Sequence, residues 1–172
     1  MGQIGRAASA DRLREALIER LRQHADDVRR ITSGFDDAAL QRRVAPDTWS
    51  LAELACHLLR VQRLFDGRIA AMIERDEPAF ESYAPETDPG FADFVSSYRG
   101  SAAVEAFISE RDRFAGQLAA LTPDQWQRRG RHPTFATFDV QFLVEYMVHH
   151  EAHHIYQMFT RRIPLSAASA PY

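Results

Sequence analysis

Residues 50–75 of this chain read SLAELACHLLRVQRLFDGRIAAMIER, and this stretch decides the fold class. It opens with Ser50 and Glu53, an S-x-x-E capping box in which each side chain satisfies a free backbone N–H of the first helical turn. Apolar residues then recur at helical spacing and mark one face, namely Leu54, Leu58, Val61, Phe65, Ile69 and Met72. The stretch therefore predicts a long amphipathic helix that runs to about Arg75.

Three further long helices are predicted on either side of this stretch. Apolar residues at helical spacing place them at residues 9–31, 102–121 and 138–162. Gly34 follows the first of them and Pro164 follows the last, and both residue types end helices. Shorter turns or helices are expected at residues 36–40, 91–98 and 122–126.

The connection at residues 77–100 indicates the topology. It contains three prolines and two glycines, so we expect a long irregular link and not a tight hairpin. Such a link fits a crossover between the second and third helices of a bundle. No stretch of the sequence shows the alternation of apolar and polar residues that is typical of a β-strand. We therefore expect an all-α four-helix bundle with this crossover, forming one domain over residues 1–172 with flexible tails at 1–8 and 165–172.

Composition and charge exclude several classes of protein. The net charge of −3 argues against a nucleic-acid-binding protein that works by bulk electrostatics. No run approaches the roughly 18 apolar residues of a membrane span, and no signal-peptide pattern is present. Cys56 is the single cysteine, so an internal disulfide cannot form. These features predict a cytoplasmic protein that acts on a small molecule, with no nucleic-acid or membrane partner.

Four of the seven histidines lie in one run, HHEAHH, at residues 149–154. Residues four apart on a helix lie about 40° apart around its axis, so their imidazoles can bind one metal ion. The run offers two such pairs, His149/His153 and His150/His154. Helical phase places His150 and His154 in the inward stripe and the other pair at its flank, which favours His150 and His154 as ligands.

His57 is the expected third ligand, because it lies on the inward face of the second helix. A buried imidazole without a partner would lower the stability of the fold by about 1–3 kcal/mol, so His57 needs a partner. The alternative to a metal ion is a hydrogen bond to a core carbonyl. Residues 150–154 also match the H-E-x-x-H pattern of zinc proteases. That interpretation fails because no His, Asp or Glu follows His154 to complete such a site.

Five other side chains are candidates for supporting roles. Glu151 could act as a general base, or could instead bond a neighbouring histidine or face solvent. Gln157 lies in the inward stripe and could orient a ligand or a water molecule. Arg111 could bind an anionic substrate or thiol cofactor, although an ion pair with a bundle carboxylate is the stronger alternative. Tyr146 is a cofactor-binding or a core residue, and Cys56 is interpreted as a packing residue.

Two motifs together resemble the DinB/YfiT-like superfamily. The second helix starts with W-S-x-x-E-x-x-x-H at residues 49–57, and the last helix carries H-x-x-H-H-x-x-Q at residues 150–157. The matching residues are Trp49, Ser50, Glu53, His57, His150, His153, His154 and Gln157. The resemblance covers essentially the whole chain. It implies a four-helix fold, a homodimer, and a metal held by His57, His150 and His154.

The resemblance also bears on function. The superfamily includes bacterial thiol transferases that use bacillithiol or mycothiol, and its relatives include maleylpyruvate isomerases. We therefore expect a divalent metal ion, with zinc or nickel favoured over iron, and a low-molecular-weight thiol as second cofactor. The leading hypothesis is a metal-dependent thiol S-transferase that acts on a small electrophile. The alternatives are a metal-dependent hydrolase and a non-catalytic metal-binding protein whose metal is closed off by His149 or His153.

Overall fold

The computed structural model describes residues 2–84 and 88–168, and within these ranges the chain is helical with two isolated β-bridges and no strand. The helices are α1 (Gly2–Thr32), α2 (Asp37–Gln41), α3 (Leu51–Glu74), α4 (Phe91–Ser97), α5 (Ala102–Ala119), α6 (Pro123–Trp126) and α7 (Val140–Ala168). The all-α prediction is confirmed. No helix among the described residues is both long and apolar enough to cross a membrane.

The capping box predicted at the start of α3 is present. The Ser50 hydroxyl accepts from the Glu53 backbone N–H at 3.1 Å, and the Ser50 backbone N–H donates to Glu53 Oε2 at 2.7 Å. These two bonds satisfy donors that the first turn of a helix otherwise leaves free. The start of α3, and with it the register of His57, is therefore set locally.

The four long helices form a bundle in which α1 and α3 each pack against both α5 and α7. Helices α3 and α5 run parallel, because Arg63 pairs with Glu110 while the later Asp66 pairs with the later Arg113. Parallel neighbours cannot be joined by a short turn, since the chain must first return along the bundle. The long link between α3 and α5, which contains α4, provides that return. The predicted crossover between the second and third long helices is confirmed.

Both ends of the predicted helical pattern differ from the structure. Helix α1 begins at Gly2 and not at Ser9, because extending a formed helix by one residue costs far less than nucleating it. Helix α7 continues past Pro164 to Ala168. Proline removes one helical hydrogen bond, but Leu165 is buried in the core, and this burial holds the last turns in place. Residues 169–172 of the expected C-terminal tail lie outside the described residues.

A buried polar layer divides the hydrophobic core into two clusters. One cluster surrounds the start of α3 and of α5, and the other surrounds the far ends of those helices. On three helices, the residue between the clusters is charged or polar and buried: His24 on α1, Arg111 on α5 and Glu151 on α7. On α3, the buried His57 contacts His150, which is next to Glu151 in the sequence. The candidate site therefore lies at mid-height in the bundle, where the core is polar.

Candidate metal centre

Three histidine side chains converge at this level of the bundle. His57 comes from α3, and His150 and His154 come from successive turns of α7. The His150 Nε2 atom lies 3.2 Å from His57 Nε2 and 3.2 Å from His154 Nε2. The nitrogen atoms offered by the three residues all lie within 4.8 Å of one another. The structure thus brings together the three residues that the sequence singled out as ligands.

This spacing fits a shared metal ion. Two nitrogens bound to one ion at about 2.0–2.1 Å, with an angle of roughly 90–110° at the ion, stand about 2.9–3.4 Å apart. The observed Nε2 separations of 3.2 Å fall inside that range. A single hydrogen bond could explain one such approach, but it does not explain three ring nitrogens that face one point. The histidine triad (His57, His150 and His154) could therefore hold a metal ion.

The three rings are in the protonation state that a metal requires. Burial, together with the neighbouring His154 and His150, lowers the pKa of His57 to about 3. Burial and the charge of His150 likewise lower the pKa of His154 to about 4. The pKa of His150 is also lowered, chiefly by burial. Neutral imidazoles keep a lone pair free at neutral pH, so all three can act as ligands without first losing a proton.

The ring of His154 is held by a chain of hydrogen bonds. Its Nδ1–H donates to Gln157 Oε1 at 3.0 Å, which leaves the Nε2 lone pair facing the other histidines. The Gln157 amide in turn donates to His153 Nε2 at 2.9 Å. His153 is exposed and its Nε2 is thus engaged away from the triad, and His149 is exposed as well. Helical phase, which favoured His150 and His154, agrees with this arrangement.

The aromatic rings of Trp49 and Phe91 also pack against the triad. The centroid of the Trp49 ring lies 5.2 Å from that of His57 and 6.4 Å from that of His154. Phe91 meets His57 edge to face at 6.2 Å. Aromatic packing of this kind fixes ring orientation without using a ring nitrogen. Trp126, the other tryptophan, belongs to the other core cluster.

Glu151 points into the buried polar layer. Its Oε1 accepts from Arg111 Nη2 at 2.5 Å and its Oε2 accepts from His24 Nδ1 at 3.0 Å. Burial acts to raise the pKa of Glu151, but the Arg111 charge and the two hydrogen bonds outweigh it and lower the pKa. A carboxylate held in this way is a weak base. The geometry therefore gives no support to a base role for Glu151.

Arg111 is fully buried and its charge is paired with the Glu151 carboxylate. The guanidinium also lies over the Phe107 ring, 4.8 Å from its centroid. The structure thus shows the ion pair that the sequence left as the alternative, and Arg111 lines neither of the two cavities that border the triad.

Cys56 is buried, and burial raises the pKa of its thiol to about 12, so it is unreactive at neutral pH.

Two cavities meet at the histidine triad. The first, here called the aromatic cavity, has a volume of about 220 Å³ and ends at His57 and His150. Its walls include Val61, Phe65, Arg68, His132, Phe135, Phe138 and Tyr146. The second, here called the open groove, has a volume of about 600 Å³ and is mostly polar. Its walls include Asp47, Trp49, His153, His154, Gln157 and Arg161.

Tyr146 lies on the border between the two cavities. It is 40% exposed, so it is not a core residue, and its ring is stacked on that of His150 with centroids 6.1 Å apart. Tyr83, from the long connection, borders both cavities as well. A molecule that reached the triad from either cavity would therefore pass beside these two phenols.

Sequence reasoning missed three residues around the site. His24 was passed over because its neighbours on α1 are ordinary core residues, and only packing shows that it meets Glu151. Arg161 lines the open groove with two buried nitrogens that have no partner among the described residues. Arg68 lines the aromatic cavity. Its position three turns after His57, on the same face of α3, was the one available signal.

Comparison with known proteins places the chain in a family. The sequence profile of the DinB superfamily matches residues 8–158. The uncharacterized protein YuaE of Bacillus subtilis is 25% identical over 139 residues, which cover 73% of this chain and 84% of YuaE. The structure of Bacillus subtilis YfiT, described as a probable metal-dependent hydrolase with an unusual four-helix bundle topology, superposes with a TM-score of 0.72 at 18% identity. That match covers 90% of this chain and 86% of YfiT. The chain therefore belongs to the DinB superfamily.

Proposed function

We propose that this protein is a metal-dependent enzyme that joins a low-molecular-weight thiol to a small electrophile at the histidine triad. The observation that carries the proposal is the position of the triad where two cavities meet. A group-transfer reaction brings two organic molecules to one point, and two cavities that meet at the triad suit that need. Hydrolysis would require room for only one organic molecule, with water as the second reactant.

The residues of the chain have distinct roles in this proposal. His57, His150 and His154 hold the ion, and Gln157 orients His154. A divalent ion bound there, zinc or nickel in preference to iron, would ionise a thiol or a water molecule near neutral pH. The aromatic cavity excludes water around the electrophile, and the open groove receives the thiol. Arg161 lines the groove and can bind an anionic group of that thiol.

A metal-dependent hydrolase is the second candidate. YfiT is described as a probable metal-dependent hydrolase, and it shares this fold. The same three histidines would then hold an ion that activates water, and the open groove would admit that water. The difference between the two reactions lies in the nucleophile and not in the ligand set.

A closed, non-catalytic metal site agrees less well with the geometry. Such a site requires a fourth protein ligand. Within the described residues the metal-binding group consists of His57, His150 and His154. His149 and His153 are both exposed, and the Nε2 atom of His153 is bonded to Gln157. Three protein ligands leave coordination positions open, as in catalytic zinc sites.

The proposal is tested by assaying the protein loaded with zinc or nickel. Cysteine or glutathione serves as the thiol and a chlorodinitrobenzene as the electrophile, with formation of the coloured thioether measured over time. We expect metal-dependent acceleration that is absent in His57→Ala and retained in His149→Ala, the matched control from outside the triad.

A parallel assay with a nitrophenyl ester separates the two candidates. Thiol transfer without ester cleavage supports the first candidate, and ester cleavage without thiol transfer supports the hydrolase. Neither activity in the metal-loaded protein would overturn the enzymatic proposal. The homodimer implied by the family resemblance stays a prediction, and sedimentation of the purified protein tests it.

A further inference from the structure

Arg68 is a buried arginine in the wall of the aromatic cavity. It is 9% exposed and lies on the same face of α3 as His57 and Phe65. Its Nη2 donates to the backbone oxygen of Glu81 at 2.5 Å. Its remaining N–H groups have no acceptor, and its charge has no carboxylate partner, among the residues that the structure describes. Arg68 therefore offers hydrogen-bond donors and a positive charge to whatever enters the cavity.

The protein compensates this charge only in part. The Arg68 guanidinium lies 5.6 Å from the centroid of the Phe80 ring and 6.0 Å from those of Phe65 and Phe138. Ring faces attract a cation, but by less than a hydrogen-bonded carboxylate does in a desolvated site. A guanidinium does not lose its proton to escape burial. An anion in the cavity would supply the missing partner.

Polar side chains cluster with Arg68 at one part of the cavity wall. Ser82 Oγ lies 3.4 Å from Thr134 Oγ1, and the Thr134 backbone N–H donates to His132 Nδ1 at 3.2 Å. With Nδ1 accepting, the neutral His132 ring carries its proton on Nε2 and can donate a further hydrogen bond. His132 lines the same cavity as Arg68, and both lie against Phe138: the His132 ring stacks on it with centroids 4.9 Å apart, and the Arg68 guanidinium lies 6.0 Å from its centroid. This polar part can surround an anionic group with donors.

The rest of the cavity is aromatic and ends at the triad. Phe65, Phe135, Phe138 and Tyr146 line the space between Arg68 and His150. A cavity of about 150 Å³ lined by apolar side chains holds one benzene molecule. The volume of about 220 Å³ thus leaves room for one ring with a few substituent atoms. Flat walls of this kind favour a planar ring over a flexible chain.

We propose that the aromatic cavity binds a single-ring aromatic compound with one anionic group, with that group on Arg68 and the reactive carbon beside the triad. The inference rests on the proposed function, since it names the class of electrophile that the site accepts. A carboxylate suits the guanidinium best, because its two oxygens match the two parallel N–H groups. Arg68 is then a specificity-determining residue.

The test is a calorimetric titration of the full chain with benzoate and with its neutral analogue benzamide. Metal is first removed with a chelator, so that benzoate cannot bind through an ion. We expect benzoate to bind more tightly than benzamide. Arg68→Met should lower the affinity for benzoate by about tenfold or more, the effect of a lost charge-assisted hydrogen bond, and leave benzamide binding unchanged.

Two variants keep the result interpretable. Arg20→Met removes the same charge from an exposed position on α1 and should leave both affinities unchanged. Arg68→Lys keeps the charge and should keep the preference for benzoate. Three outcomes would overturn the proposal. Benzoate could bind the wild type and Arg68→Met with equal affinity, Arg68→Met could lose affinity for benzoate and benzamide equally, or neither ligand could bind the wild type. No turnover is measured, so this outcome is independent of the thiol-transfer assay.

Discussion

At the scale of single residues, the metal affinity of this protein depends on three imidazoles from two helices. Removal of His57 leaves two ligands on α7 and also opens space beside Trp49. We expect His57→Ala to lower zinc affinity by about 100-fold or more, since even partners outside the ligand set contribute 10–100-fold. Competition with a chromogenic chelator measures it. An equal loss in His149→Ala, which is exposed and outside the triad, would contradict the assignment.

Gln157 acts on the metal only through His154, so it is a positioning residue. Gln157→Leu removes the acceptor of the His154 Nδ1–H while leaving all three ligands in place. Zinc affinity should fall by about tenfold to 100-fold. Gln157→Glu keeps an acceptor at the same position and should retain the affinity. Both are measured by the same chelator competition. Similar losses in the two variants would show that packing, and not the hydrogen bond, explains the role of Gln157.

At the scale of one element, the start of α3 depends on its capping box. Ser50→Ala removes the acceptor of the Glu53 backbone N–H and should lower the free energy of unfolding by about 1 kcal/mol. Urea denaturation followed by circular dichroism measures this change. Because the packing of α3 against α5 and α7 still holds His57 in place, zinc binding should weaken much less than in His57→Ala. A loss of zinc binding as large as in His57→Ala would mean that the cap positions the site.

The Glu53 carboxylate of the same capping box makes the stability of the protein depend on pH. Burial acts to raise the pKa of Glu53, but hydrogen bonds from Arg43 and from the Ser50 backbone outweigh it and lower the pKa below its usual 4.5. The unfolded chain then takes up a proton before the folded one does. The stability contributed by the Glu53 charge is therefore complete above pH 4.5 and is lost as pH falls through the folded pKa.

Glu53→Gln isolates this contribution. The variant should be less stable than the wild type at about pH 6, and the difference should shrink toward about pH 3. Urea denaturation at both pH values gives the comparison. Arg20→Gln, on the exposed face of α1, serves as a control whose small effect should not change with pH in this range. A difference that grows on acidification would contradict the sign.

At the scale of the whole molecule, the buried polar layer ties three of the four long helices together. Arg111→Met leaves the Glu151 carboxylate buried without its cation, which should cost about 3–5 kcal/mol in the free energy of unfolding. The double variant Arg111→Met with Glu151→Leu removes both charges and should be more stable than the single variant. Urea denaturation tests this order. A double variant less stable than Arg111→Met would show that His24 also depends on the Glu151 charge.

The sequence by itself determined the helices and the identity of the ligand candidates. Capping boxes and apolar periodicity are local signals, so the start of α3 at Ser50 was predicted to the residue. The pairing of His150 with His154 depends on the four-residue spacing within one helix, which needs no information from elsewhere in the fold. His57 followed from its place in an apolar stripe. The helix ends at Gly2 and Ala168 were missed, because fraying and packing decide them.

Tertiary structure alone decided which groups face the triad and which face away. The carboxylate of Glu151 lies one residue from His150, yet it pairs with Arg111 and His24, which come from two other helices. Arg68 borders the aromatic cavity only because the long connection and α7 close over its face of α3. Helical periodicity predicts the direction in which a side chain points from its own helix axis. The contact that the side chain makes depends on which residue lies in that direction. That neighbour is set by packing between segments distant in sequence.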